Sequence, residues 1–107
     1  MTLNTINFHD KISAYKALMP FIKESGIFVA TDASNYQLGD QVQVTLNIAE
    51  LGKSFSFRGS IIWLSFEASA TEEGVGVKFE GIQGMKVKKV LETYTSDVSD
   101  SQSTSTL

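Results

Sequence analysis

Between Gln41 and Ile48 apolar and polar residues alternate without a break: Val42, Val44, Leu46 and Ile48 against Gln41, Gln43, Thr45 and Asn47. A period of two is the signature of a strand with one buried and one wet face. Leu3, Ile6 and Phe8 alternate more weakly and predict a short first strand. Gly26 opens another, "GIFVAT". "FSFRGSIIWLSF" reads as a longer strand whose phase shifts around Gly59, predicting a bulge or bend there. "GVGVKFE" puts Val75, Val77 and Phe79 on one side, with Gly74 and Gly76 marking close backbone approach. The connections "DASNYQLGD" and "ELGKS" are built from turn formers, and "EASATEEG" is an acidic hairpin loop.

Two segments follow a helical period instead. In "DKISAYKALMPF", Asp10 is a candidate N-cap and Ile12, Tyr15, Leu18 and Met19 share one face. Pro20 is expected to end this helix by driving Met19 out of the α region. Near the end, Ile82, Val87, Val90, Leu91 and Tyr94 form an apolar face with Lys86, Lys89 and Glu92 towards water. The helix is expected to fade into "TSDVSDSQSTSTL", too polar to fold alone. The expected organisation is one mainly β domain over residues 1–95, a small barrel with a terminal helix, and a flexible polar tail over 96–107.

At 107 residues there is room for one core. The net charge of −3 disfavours a phosphate backbone as partner, so no nucleic acid is expected. The aromatics Phe55, Phe57, Trp63 and Phe79 would suit a single-strand-binding barrel, but alternation turns several of them inward. The chain has no cysteine, which removes thiolate chemistry and disulfides, and its one histidine, His9, has no evident partners. Glu72 and Glu73 read as a solvated loop tip, and the Lys86, Lys88, Lys89 cluster as the wet face of a helix. "GVGVKFEG" lacks the lysine spacing of a phosphate loop. No catalytic residue, metal site or cofactor is expected. The N-terminal "MTLNTINFHDK" has no signal-peptide pattern, and the apolar run Ile61–Leu64 is far too short to span a membrane.

In order and spacing, "LMPFIKESGIFVAT", "YQLGDQVQVTLNI", "RGSIIWL", "GVGVKFE" and "LETY" resemble the PilZ domain, in its type IV pilus-assembly branch. The final "TSTL" resembles the Thr-rich end of that branch. The resemblance implies a six-stranded antiparallel β-barrel with a short helix before the second strand and a C-terminal helix. It also implies a cytoplasmic, monomeric protein of pilus assembly and twitching motility. The implied partners are the pilus extension ATPase and a GGDEF-EAL regulator.

Most of that family binds cyclic di-GMP with an Arg-x-x-x-Arg segment and an Asp/Asn-x-Ser-x-x-Gly loop. Planar guanidinium forks suit guanine and phosphate. Here Arg58 is the only arginine, so a two-arginine clamp cannot form. Gly26 matches the loop glycine, but Phe21 stands at the Asp/Asn position and Lys23 at the Ser position. The expectation is an adaptor without direct nucleotide binding, the alternative being a receptor with a non-standard site. The resemblance offers Tyr15, Met19, Pro20, Phe21 and Ile22 as protein-contact residues, with Ser105, Thr106 and Leu107 in the tail. Tyr15 and Phe21 are equally open to a reading as core.

Overall fold

The structure, a computed structural model, describes residues 3, 5–66 and 72–105, with side-chain surroundings as far as Val98. The elements are β1 (Ile6–Phe8), α1 (Lys11–Leu18), β2 (Gly26–Ala30), β3 (Gln41–Ile48), β4 (Lys53–Ser65), β5 (Gly74–Phe79) and α2 (Gly81–Ser105). They form one sheet of strand order β1-β3-β4-β5-β2. The fold is thus mainly β, a curled sheet closed by helices. The implied barrel needs two corrections: the described residues give five strands rather than six, and β1 runs parallel to β3. The parallel pairing follows from connectivity, because α1, β2 and a loop carry the chain across before β3 begins.

The period-two reading of β3 holds: Val42, Val44, Leu46 and Ile48 are all buried. Facing them are Phe57 and Ile61 of β4, Val75, Val77 and Phe79 of β5, and Ile27 and Val29 of β2. The Phe57 and Phe79 rings lie 4.8 Å apart at 38°. Fully burying a side chain of this kind contributes roughly 1.5–3 kcal/mol, so this face sets the fold. Gly59 marks a close approach rather than the predicted bulge: a Cβ there would run into the Lys78 carbonyl oxygen. The bulge comes later. Ile61 pairs with Val77 but Trp63 with Gly76, which leaves Ile62 as the extra residue.

Asp10 caps α1 as predicted, its carboxylate accepting from the Ser13 amide at 2.8 Å. The helix is rotated from the predicted face. Ala14 and Leu18 are buried, whereas Ile12 and Met19 are exposed and Tyr15 is half-buried. The small Ala14 lets α1 pack closely, and the larger side chains are left outside. Met19 also stays helical (φ −55°, ψ −45°) despite preceding Pro20. The chain tightens into a 3-10 turn over Met19–Phe21, a change of helix type that accommodates the missing proline amide.

In α2 the buried set is Val87, Leu91, Tyr94 and Val98. Ile82, expected inward, is 77% exposed, because it lies on the first turn before α2 reaches the core. Nor does the helix fade at Tyr94: it runs on to Ser105, with Thr95 and Val98 buried. Contact with α1 explains the extension. Lys11 Nζ bonds Asp97 Oδ2 at 2.8 Å and lies 5.8 Å from the Tyr94 ring centre. The Thr95 hydroxyl donates to the Leu91 carbonyl at 2.8 Å, so its burial leaves no unmet donor. Tyr94 Oη donates to Glu50, and burial together with that carboxylate pushes the phenol up to about 12.

Candidate functional site

The segment from Tyr15 to Gly26 leaves α1, crosses the edge of the sheet and becomes β2. Short backbone bonds hold it in successive turns: Glu24 N to Phe21 O at 3.1 Å and Ser25 N to Ile22 O at 3.4 Å. Ser25 takes a left-handed conformation (φ 57°). Its carbonyl accepts from the Phe79 amide at 2.8 Å, and its hydroxyl from Lys88 Nζ at 2.9 Å. Lys88 therefore ties α2 to this turn, a bond that its place in a wet helix face did not suggest.

Phe21 is 7% exposed, yet it is not part of the main core. It packs on the opposite face of the sheet, over Gly76. A Cβ on Gly76 would meet three Phe21 ring atoms at 2.6–2.9 Å, so the glycine makes the hollow that the ring fills. Trp63 stands beside it, ring centres 6.2 Å apart and tilted by 56°. The bulge explains why Trp63 is there. Phe57, Gly59 and Ile61 point inward at alternate positions, and residue 63 would follow them. The extra residue reverses the phase, so Trp63 sits opposite outward-facing Gly76 and is 51% exposed.

The result is a groove of about 390 Å³ lined by Pro20, Phe21, Phe28 and Trp63, with Glu24 and Glu72 also in its wall. On the other side of the same segment, Tyr15, Met19 and Ile22 border a smaller groove of about 300 Å³ against Glu92 and Ser96 of α2. Met19 and Ile22 are 44% and 49% exposed. Both grooves combine apolar walls with carboxylates, which suits a partner surface carrying apolar anchors and cations.

The predicted contact residues therefore divide. Tyr15, Met19, Pro20 and Ile22 reach the surface, while Phe21 forms the floor beneath Trp63. Ser105 is the last residue of α2, and Thr106 and Leu107 lie outside the described residues. Trp63 and Phe28 were missing from the predicted site. The one signal for Trp63 was "IIWL", a run in which no polar residue marks the wet face.

Glu73, which reads in the sequence as part of a loop tip, is structural. Its Oε2 accepts at 3.1 Å from the amide of Ala33, the first residue of a 3-10 turn over Ala33–Asn35 that Asp32 caps. Most of the rest of the acidic loop, residues 67–71, lies outside the described residues. Among the described residues no group of His, Asp or Glu side chains could hold a metal ion. No described helix is long and apolar enough to cross a membrane. Residues 3–99 match the family model described as "PilZ domain". None of the curated proteins matches the chain.

Proposed function

This chain belongs to the PilZ domain family, and from that premise we propose that it is a non-catalytic adaptor in type IV pilus assembly and twitching motility. PilZ domains are binding domains of cyclic di-GMP signalling, serving as receptors or adaptors and generally without catalysis. In our reading this one works in the cytoplasm as a monomer. It contacts the pilus extension ATPase and a GGDEF-EAL regulator, and does not itself hold the dinucleotide.

The packing of Phe21 carries this reading. At the position where the family's nucleotide loop offers Asp or Asn, a phenyl ring is folded onto Gly76 and roofed by Trp63. The next loop position is Lys23 rather than Ser, and Arg58 alone cannot form a guanidinium clamp. A surface stripped of ligand contacts but provided with a half-exposed tryptophan is suited to protein recognition, where aromatic anchors dominate the energy. Ser105, Thr106 and Leu107 would add a contact at the far end of α2.

Co-purification of the full chain with the extension ATPase tests the proposal. Capture should be lost with Trp63→Ala and weakened when residues 101–107 are removed. Failure of the intact chain to capture the ATPase would reject that partner. Calorimetric titration with cyclic di-GMP should give no binding heat. Micromolar binding to the isolated protein would instead favour a direct receptor with a non-standard site.

A further inference from the structure

β4 is paired on both sides along only part of its length. It runs against β3 from Lys53 to Ser60, but against β5 only from Gly59 onward. β5 ends at Phe79 and the chain turns away into α2. Among the described residues, no strand pairs with Lys53–Arg58 on the β5 side. That stretch presents alternate amides and carbonyls along an open edge about 20 Å long.

Beside this edge lies a groove of about 790 Å³. The strand contributes Ser54, Phe55 and Ser56 to it, and α2 contributes Val87, Val90 and Tyr94. Phe55 and Val90 are only half-buried, so the apolar walls are incompletely filled. Lys86 and Lys89 line the same groove, and Lys53 stands at the start of the edge. The neighbouring carboxylate Glu50 is occupied by the Tyr94 hydroxyl. This is a cationic site on a chain of net charge −3, and it shares no lining residue with the acidic-walled grooves around Pro20 and Phe21.

We propose that the open edge of β4 binds an extended acidic peptide segment of a partner, which adds as a strand between β4 and α2. Backbone bonding to Lys53–Arg58 would hold the segment, and apolar side chains at alternate positions would enter between Phe55 and Val90. Its carboxylates would meet Lys53, Lys86 and Lys89. A helix could fill the volume but could not pair with the strand edge, so an extended occupant is favoured.

The test uses the full chain, labelled with ¹⁵N, and a capped seven-residue peptide of alternating glutamate and valine. Binding should slow amide exchange at alternate residues of Lys53–Arg58. Methylating every backbone nitrogen of the peptide keeps its charge but removes its donors, and should weaken binding by about tenfold or more. The Lys86→Glu and Lys89→Glu double variant, altered only at exposed positions, should keep its melting temperature and lose affinity. Equal binding of the methylated peptide, protection elsewhere on the sheet, or no binding at millimolar peptide would each overturn the proposal. So would sedimentation showing that a second copy of the chain occupies the edge.

Discussion

The outer surface of the sheet has two unlike halves over one uniform interior. Across β1, β3 and the first half of β4 it is a polar ladder. Asn47 Nδ2 donates to Asn7 Oδ1 at 2.8 Å, Ser54 bonds Asn47, and the Thr45 and Ser56 hydroxyls meet at 3.0 Å. Across the second half of β4, β5 and β2 it is glycine and aromatic: Gly74, Gly76, Phe28 and Trp63, with Phe21 laid over them. Beneath both halves the same alternation of buried Val, Ile, Leu and Phe continues. The inward face is tightly constrained by packing, so the outward face is where two halves of one sheet can diverge. The polar half is satisfied by its own side chains. The aromatic half is covered from one side only and leaves Trp63 half exposed.

If this contrast is sound, Phe21→Ala should have the largest effect, about 3 kcal/mol of lost stability by chemical denaturation. A loss below about 1 kcal/mol would mean that the ring is merely parked on the sheet. Next, Gly76→Ala should cost about 1–3 kcal/mol by pushing a methyl group into that ring. The cost should shrink when Phe21 is already alanine, which a double-mutant cycle would measure. Trp63→Ala should cost only about 1 kcal/mol of stability but at least about tenfold in partner affinity. The matching change in the polar half, Thr45→Val with Ser56→Val, should stay within about 0.5 kcal/mol and leave affinity unchanged. An affinity loss there would erase the distinction between the halves.

The smallest effect lies away from both halves. Asp97 is held below its ordinary 3.8, first by the hydrogen bond from Lys11 and then by that residue's charge. A depressed folded pKa gives stability that is present above the ordinary value and lost as pH falls through the lowered one. Asp97→Asn should therefore flatten the fall in melting temperature from about pH 5 to pH 2. Partner binding at neutral pH should not change.

The sequence was most readable where one local rule decided the outcome. The alternation of β3, the Asp10 cap and the start of β2 at Gly26 needed nothing beyond neighbouring residues. It was misleading where a distant element decided. The face of α1 was misread because Ala14 carries little hydrophobic signal, yet the packing requires a small residue there. The later part of α2 packs against α1, a distant element whose Lys11 lies 86 residues from Asp97 in the chain. Trp63 was lost among possible core aromatics because its direction depends on register with β5. Of the candidate site, the Tyr15–Ile22 segment could be proposed from the sequence, but the sheet face it rests on could not, because that face depends on the register of β4 with β5.

The extra residue at Ile62 makes β4 a strand with two parities. Odd-numbered positions build the interior before it, and even-numbered Leu64 packs against the same interior after it. Pairing the same residues without the bulge would exchange inside for outside in the second half alone, leaving Lys53–Ile61 in place. A substitution alters the tryptophan where it stands, whereas flattening the bulge with all residues kept would turn it inward, and deleting Ile62 would keep it opposite Gly76. The outward place of Trp63 thus rests on the bulge as much as on the identity of the residue.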